Sequence, residues 1–537
     1  MRAWLALLLA LPASAGDAPG RRPYFRITVL DEATGRGVPL VTLTTTGGIA
    51  HVTDSNGVVA FHEPGLMGRE LFFFVESHGY EFAKDGFGMA GKTLRALEGG
   101  AAELKIRRLN LAERLYRTTG GGVYRDSVLL GIETPVKEPL LNGLVVGQDS
   151  TVAAVYRGAI RWFWGDTSRP AYPLGNFAVS GAASRLPGRG GLDPARGIEF
   201  SYFTGADGFS RPMCAVEGPG PKWIDGLMVL RDASGAERLV AAYVRVKTLD
   251  EMHERGLVVY DDGKELFVPL KRFALAEPLY PHGHPVRVRA EGRDWFYFGR
   301  PFPDVRVRAD WAAIQDPAAY EALGKDGPPG PRTLRDVETG RTVRPHGGSV
   351  AWNAYRRRWI AVVLEAGGSS PLGEIWYAEA DTVTGPWVYA RKIVTHHRMS
   401  FYNPVHHPFL DGEGGRLIYF EGTYTQTFSG NPERTPRYDY NQILYRLDLA
   451  DPRLALPVPV YRLRDGSLKT RADLEGAWGE VQEVAFFAHE EPRDGLVRAG
   501  SYYLAARERE GLVRHGEGWV WPSPAVLPPS EPASHPR

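Results

Sequence analysis

The stretch SFYNPVHHPFLDGEGGRLIYFEGTY, Ser400–Tyr424, contains two runs of strand-forming residues on either side of a turn. A histidine pair, His406 and His407, ends the first run, and Glu421 lies near the end of the second. Alternating apolar and polar residues around a glycine-rich turn predict a β-hairpin. Whether its polar residues form a site or only decorate a sheet depends on whether the same pattern recurs along the chain.

The pattern recurs in four further segments. Each has a strand, a turn, an aromatic or β-branched strand and a charged or polar residue near each end. With the opening stretch, the five units are NGLVVGQDSTVAAVYRGAIRWFWGDT at 142–167, WIDGLMVLRDASGAERLVAAYVRVK at 223–247, HGHPVRVRAEGRDWFYFGR at 282–300, HGGSVAWNAYRRRWIAVVLEAGG at 346–368 and YNPVHHPFLDGEGGRLIYFEGTY at 402–424.

Two more strands follow several of these pairs. Examples are GEIWYAEADT with GPWVYARKIV, and NQILYRLDLA with PVPVYRLRD. Repeated units of four antiparallel strands predict a β-propeller, because each blade buries its faces only against neighbouring blades. The sequence therefore predicts an all-β protein with a five-bladed propeller over residues 128–509. A large β-sandwich or a β-helix remains the alternative, since the spacings of the units are unequal.

The residues before the propeller predict a separate small domain. Short alternating strands and Asn-Gly or Pro-Gly turns indicate a β-sandwich over residues 21–108. TVLDEATGRGVPLVTLTT, TDSNGVVAF and FFVESHGYEF resemble the carboxypeptidase-regulatory-like, or transthyretin-like, domains. That resemblance implies a non-catalytic module. Residues 109–127 end in a glycine run and are predicted to be a connector, and the proline-rich residues 510–537 a disordered tail.

The N-terminus and the composition limit the compartment and the partners. MRAWLALLLALPASA, Met1–Ala15, has the pattern of a cleaved secretory signal, which predicts a secreted or periplasmic protein without a membrane anchor. Lys and Arg total 64 against 63 Asp and Glu, so no net charge favours nucleic acid as a partner. Cys214 is the only cysteine, which excludes an intrachain disulfide and a cysteine-based metal cluster.

Polar residues recur at equivalent positions of the five units, where strands meet the rim of the predicted funnel. The first strands begin near Asp149, Asp225, His282 and His284, His346, and His406 and His407. The second strands end at Asp166, Lys247, Arg300, Glu365 and Glu421. Carboxylates on one rim suit glycosidic bond cleavage, in which one protonates the leaving oxygen and another activates water or attacks the sugar.

Aromatic residues in the same strand pairs could provide apolar faces for a sugar. The predicted substrate contacts are Trp164, Trp223, Arg300, Lys247, His284, His346, His406, Tyr402 and Tyr424. Packing between blades is the alternative for each aromatic residue. The alternation in RWFWGD places Trp162 and Trp164 on one face of their strand.

At these positions the chain resembles the five-bladed propeller glycosidases of the arabinanase-like families, and most of all the bacterial endo-D-arabinanases. GQDS supplies Asp149 and FWGDT supplies Asp166, and only these two positions correspond. The resemblance implies a glycoside hydrolase that acts on a polysaccharide or oligosaccharide. It also implies a third carboxylate on a later blade, for which Glu365 and Glu421 compete.

The sequence leaves the metal and the reaction class open. No cofactor is predicted, although the centre of a propeller can hold a cation, and HGHP and PVHHPF lack the helical zinc motif. A polysaccharide lyase is the second hypothesis, with Lys247, Arg300 and the rim histidines neutralising a uronate. A propeller that binds glycans or proteins without catalysis is the third.

Overall fold

The computed structural model describes residues 23–248, 251–290, 292–323, 334–385, 387–463, 465, 467–469, 481–489, 513–515 and 518–520. The expected signal peptide, residues 1–15, lies outside these residues, as does most of the expected tail. Within the tail, Val513–His515 pairs with Gly518–Val520. The described chain is almost entirely β, with a single short α-helix at Arg125–Leu130. Among the described residues, no helix has the length and apolar character needed to span a bilayer.

The N-terminal β-sandwich consists of two four-stranded sheets that enclose one apolar core. One sheet has the order Val58–Phe61, Phe25–Asp31, Ala101–Arg108, Tyr80–Glu81, and the other has the order Ala50–Val52, Thr42–Thr45, Glu70–Glu76, Gly91–Arg95. Alternate residues of the strands point inward, as Ile27 and Val29 do on Phe25–Asp31. Period-two patterning in the sequence is thus what builds this core.

Five further sheets follow, and each is built on four antiparallel strands. In chain order, blade 1 has strands Val152–Tyr156, Ala159–Trp164, Ser180–Arg185 and Ser201–Tyr202. Blade 2 has Lys222–Arg231, Glu237–Val246, Met252–Asp261 and Leu266–Phe273. Blade 3 has Val286–Ala290, Arg293–Gly299, Pro303–Arg308 and Glu321–Ala322. Blade 4 has Pro345–Asn353, Arg358–Glu365, Glu374–Ala380 and Tyr389–Thr395, extended by Leu334–Asp336 and Thr342–Val343. Blade 5 has Ser400–His406, Leu417–Thr425, Asn441–Asp448 and Glu113–Arg117.

The blades close into a ring. Each of five apolar clusters joins one blade to the next, and the last joins blade 5 back to blade 1. Representative pairs within one cluster, in order around the ring, are Phe163 with Tyr260, Ala242 with Phe298, Trp295 with Trp376, Leu364 with Phe401, and Leu444 with Trp162. The central strands of a blade are therefore buried on both faces, which explains why Glu374–Ala380 is buried throughout its length.

The ring is closed by a strand from the N-terminal side of the propeller. Glu113–Arg117, within the stretch predicted to be a connector, pairs antiparallel with Asn441–Asp448 as the outer strand of blade 5. The expectation that PVPVYRLRD forms the outer strand of blade 5 was wrong. Pro457–Leu463 instead pairs with Val481–His489 and Leu468–Lys469 in a separate small sheet.

Smaller elements complete the loops. A three-stranded sheet of Gly147–Gln148, Thr167–Arg169 and Tyr172–Asn176 is inserted at blade 1. Short 3-10 turns lie at Asn142–Leu144, Ala313–Gln315, Pro317–Ala319, Pro408–Leu410, Glu413–Gly415 and Pro452–Leu454. In every blade the first strand begins, and the second ends, at the same end of the hairpin, so the loops at those ends share one face of the propeller.

Candidate functional site

Asp149 and Asp166 lie together at this face, on blade 1. Val152 pairs with Phe163 in the first hairpin, so the residues just before the first strand and just after the second are neighbours. The Gly165 N–H donates to the Asp149 carbonyl oxygen at 2.8 Å. A Cβ at Gly165 would stand 2.3 Å from Asp149 Oδ1, so only glycine lets the two segments approach this closely.

Asp149 is a half-buried carboxyl group surrounded by hydrogen-bond donors. The Tyr402 hydroxyl donates to its Oδ2 at 2.8 Å, and the Tyr440 hydroxyl and the Asp166 backbone N–H also donate to the carboxylate. Burial, and then the charge of Asp166, outweigh these donors and raise the pKa of Asp149 to about 6. A carboxyl group with such a pKa can exchange a proton under mildly acidic to neutral conditions.

Asp166 is the second carboxyl group of the pair. The indole Nε1–H of Trp223, on blade 2, donates to Asp166 Oδ1 at 2.9 Å. Burial raises the pKa of Asp166, against the effect of this hydrogen bond. Within the part of the chain that the structure describes, neither Asp149 nor Asp166 has a salt-bridge partner. Each of these two carboxyl groups therefore favours its protonated form more than a free aspartate does.

Contacts between blades 5 and 1 fix the backbone around Asp149. The Gln148 N–H donates to the Tyr440 carbonyl oxygen at 2.7 Å, and the Ser150 N–H donates to Thr423 Oγ1 at 3.2 Å. The Asn403 side chain donates to Ser150 Oγ at 2.6 Å. The closing interface of the ring thus positions the carboxylate.

Asp225, Arg300 and His284 form a second polar cluster on blades 2 and 3. Asp225 forms an ion pair with Arg300, and the Gly283 N–H donates to its Oδ2 at 2.8 Å. Although burial opposes it, this pairing holds the pKa of Asp225 below its ordinary value. Burial lowers the pKa of His284 to about 4, so the imidazole is neutral at neutral pH. Asp225 is therefore ionised at neutral pH and is not a candidate proton donor.

Glu421 does not reach the funnel. It is fully buried between blades 5 and 1, where His407 Nε2 lies 3.0 Å from its Oε1 and Thr118 Oγ1 donates to its Oε2 at 2.9 Å. Alternation along Leu417–Thr425 points this side chain into the interface with blade 1. The location of Glu421 therefore differs from the expectation that this residue lies across the funnel from Asp149.

Glu365 ends its strand on the same face of the propeller as Asp149 and Asp166, but its side chain is also buried. It is 3% exposed, its carboxylate takes two hydrogen bonds from the Arg341 guanidinium, and Trp376 Nε1 donates to Oε2 at 2.8 Å. Both oxygens of the Glu365 carboxylate are thus occupied by hydrogen-bond donors, so the group is poorly placed to contact a sugar. Neither of the two competing glutamates is free in the way that Asp149 and Asp166 are.

Several predicted substrate contacts are core residues. Trp164 is 1% exposed and stacks on Trp162, with ring centroids 6.4 Å apart. Tyr424 packs in the core between blades 4 and 5, and its hydroxyl lies 3.2 Å from His78 of the sandwich. His406 is buried at the far end of its strand, 2.8 Å from Asp411. These three side chains pack in the interior, because propeller strands bury both faces.

The other predicted contacts lie at this face of the propeller, although Tyr402 is itself only 6% exposed. Trp223 and Tyr402 contact the carboxylate pair, as described above. His284 and Arg300 lie in the second cluster. Lys247 is exposed at the rim of blade 2, where Glu251 Oε2 lies 3.1 Å from its Nζ. His346 is exposed at the start of blade 4.

A groove of about 810 Å³ lies on the same face, between blades 4 and 5. Its polar lining residues are Arg344, His346, Ser369, Ser370, Arg398, Ser429 and Asn431. Phe428, next to Ser429, packs edge-on against Tyr402 with ring centroids 5.5 Å apart. Tyr402 thus contacts both Asp149 and Phe428, and Phe428 is the sequence neighbour of a residue that lines the groove.

The sequence analysis did not identify Tyr440, Asn403, Phe428 or Arg398. These residues have positive φ, as does Ser150. Non-glycine residues are seldom found in this region, and such strain concentrates at functional sites. No residue pattern marks a positive φ at an asparagine, tyrosine, phenylalanine or arginine, so this signal exists only in the structure.

The described residues contain no cluster of three or more His, Cys, Asp or Glu arranged to hold a metal ion. The single cysteine, Cys214, is buried, and burial raises its thiol pKa to about 11, which makes it a poor nucleophile.

No protein-family model and no curated protein matches the chain. Among solved structures, an exo-1,5-α-L-arabinanase from a bovine ruminal metagenomic library is 11% identical with a TM-score of 0.34, covering 62% of this chain and 98% of the other. A GH43_1 enzyme from Xanthomonas citri is 13% identical with a TM-score of 0.32, covering 60% and 90%. An exo-β-1,3-galactanase from Phanerochaete chrysosporium is 9% identical with a TM-score of 0.34, covering 63% and 65%.

Proposed function

We propose that this protein is a carbohydrate-active enzyme that hydrolyses glycosidic bonds with Asp149 and Asp166. One observation carries the proposal. These two carboxyl groups lie together on the accessible face of the propeller, both have raised pKa values, and neither has a cationic partner among the described residues. The acidic residues around them, Asp225, Glu365 and Glu421, are instead held in pairs with basic residues.

The two carboxyl groups take different roles. Asp149, with its pKa near 6, carries the proton and donates it to the leaving oxygen. Asp166 stays ionised beside it, and either activates water or attacks the anomeric carbon. The Trp223 N–H fixes the orientation of the Asp166 carboxylate. The donors on Asp149 stabilise the carboxylate that is left once its proton has been transferred.

The shape of this face favours an extended glycan. The groove between blades 4 and 5 lies on the same face as the pair and has the volume of a ligand site. Trp223 and Tyr402 place aromatic rings beside the carboxyl groups. The sequence resemblance to endo-D-arabinanases, carried by GQDS and FWGDT, makes D-arabinan one substrate to test.

The lyase hypothesis rested on free cations that could neutralise a uronate. Lys247 pairs with Glu251 and Arg300 pairs with Asp225, and among the described residues neither cation forms an ion pair with Asp149 or Asp166, the two carboxyl groups with raised pKa values. Hydrolysis therefore remains the better supported reaction.

We also propose, from Met1–Ala15 alone, that the chain is exported to the periplasm or secreted. N-terminal sequencing of exported protein should begin close to Gly16, and a sequence beginning at Met1 would refute export by this route.

The test is a screen of the purified protein against a polysaccharide panel that includes D-arabinan. Two signals are read together: new reducing ends, and the absorbance of unsaturated uronates. Reducing ends without unsaturated uronate support hydrolysis. Unsaturated uronate would identify a lyase, and binding without either product would leave a glycan-binding propeller.

A further inference from the structure

The groove between blades 4 and 5 has an unusual charge balance. Among its lining residues are Arg344, Arg398 and His346, and none of the lining residues is acidic. The chain as a whole has nearly equal numbers of basic and acidic residues. An open groove with basic side chains and no carboxylate attracts anions rather than neutral ligands.

Arg344 is the strongest candidate for an anion contact. Its side chain is exposed, and no ion-pair partner lies within reach among the described residues. Arg398 does have a partner, Glu433 at 2.9 Å, but both side chains are more than half exposed. Such surface pairs contribute little, and an incoming anion can compete with Glu433.

The far wall of the groove is fixed by its own hydrogen bonds. Asn431 Nδ2 donates to the Arg398 carbonyl oxygen at 3.0 Å, and the Asn431 N–H donates to Ser429 Oγ at 3.1 Å. Gln426 Nε2 donates to the Asn431 carbonyl oxygen at 2.7 Å. Arg398 and Phe428, at the two ends of this wall, both have positive φ. A wall held in a strained conformation is typical of a binding surface.

We propose that this groove binds a glycan unit carrying an anionic group, namely a carboxylate, sulfate or phosphate, with Arg344 as its main contact. The guanidinium can donate two parallel hydrogen bonds to such a group. Arg398 and Asn431 lie on the opposite wall of the groove. The inference rests on the proposed function, because it makes the groove a subsite for the glycan that Asp149 and Asp166 cleave.

The experiment measures binding, so that it does not depend on turnover. Matched pairs of glycans are compared by affinity electrophoresis: polygalacturonate and its carboxyl-reduced form, glucuronoxylan and its carboxyl-reduced form, and a sulfated galactan and its desulfated form. Inorganic phosphate is tested as a competitor. At least one acidic member should bind more tightly than its neutral counterpart, and added NaCl should weaken that binding. Which pair responds distinguishes a carboxylate from a sulfate.

Arg344→Gln should weaken binding of the preferred acidic glycan by about tenfold or more, the scale of one charge-assisted contact. Arg231→Gln is the matched control, because it makes the same change at an exposed residue outside the groove, at the turn between the first two strands of blade 2, and should leave binding unchanged. The inference is overturned if no acidic glycan is preferred, or if Arg344→Gln keeps the preference intact. Hydrolysis of neutral glycans only would leave the proposed function standing without this subsite. Binding of acidic glycans without any cleavage would support the anionic site and contradict the proposed hydrolysis.

Discussion

The Tyr402 hydroxyl, on blade 5, donates a hydrogen bond to Asp149 Oδ2, on blade 1, at 2.8 Å. The bond crosses the interface that closes the ring, so the first and last blades jointly define the environment of this carboxyl group. It also stabilises the ionised form of Asp149, and therefore opposes the upward shift of its pKa by burial.

Tyr402→Phe should raise the pKa of Asp149 further, because a donor to the carboxylate is lost. If Asp149 is the general acid, the alkaline limb of the kcat/KM profile reports its pKa and should move to higher pH. The measurement is a pH–rate profile on the substrate identified in the screen. Tyr424→Phe is the matched control, since that hydroxyl lies beside His78 rather than the pair. An alkaline limb that stays in place, or moves to lower pH, would contradict the role of Asp149.

The raised pKa of Asp149 also predicts a cost in stability. Its pKa rises on folding from 3.8 to about 6, so the folded state binds this proton more tightly than the unfolded state. Stability linked to the proton is present below pH 3.8 and is lost as the pH rises through 6. Asp149→Asn lacks this titrating group, so its free energy of unfolding should not include the loss. From pH 4 to pH 8 the free energy of unfolding of the variant should therefore rise, relative to that of the unsubstituted protein, by about 1–3 kcal/mol. Denaturant titrations at several pH values provide the test, and parallel curves would show that the carboxyl group is not perturbed.

Glu421→Gln should affect stability rather than chemistry. The variant keeps the size of the side chain but removes the charge that faces His407, in a fully buried site. The free energy of unfolding should fall by about 1–3 kcal/mol, while kcat of the folded protein stays within a fewfold. Glu265→Gln, at an exposed position, provides the surface comparison. A large loss of kcat with an unchanged melting temperature would return Glu421 to the catalytic set.

Two shortened chains test how the sandwich and the propeller depend on each other. A chain beginning at Asn110 keeps the closing strand Glu113–Arg117, whereas one beginning at Gly120 lacks it. The first should fold and retain turnover, but with a lower melting temperature, because Leu40 and Val52 of the sandwich region belong to the core between blades 4 and 5. The second should not form a cooperative fold, since the outer edge of blade 5 is left open. Equal melting temperatures for the two chains would show that the closing strand is unimportant.

The sequence predicted what depends on local pattern. The five hairpins and the positions of Asp149 and Asp166 follow from period-two alternation and from the repeat, because each hairpin is a local structure. The closing strand Glu113–Arg117 could not be found in this way. Its pairing partner Asn441–Asp448 is far away in sequence, and its own sequence, ERLYR, does not alternate apolar with polar residues although all five are buried. Trp164 and Glu421 were expected at the funnel for a related reason. When both faces of a strand are buried, its sequence does not show which side chains reach the funnel.

The central claim is that Asp149 and Asp166 act together as the acid–base pair. The most direct measurement is kcat for Asp149→Asn and Asp166→Asn on the substrate found in the screen, with melting temperatures recorded for each. Asp207→Asn makes the same change at an exposed site and serves as the control. The account predicts that each variant of the pair loses turnover by about a hundredfold or more while remaining folded, and that the control keeps full activity. Near-normal turnover in both variants of the pair would contradict it.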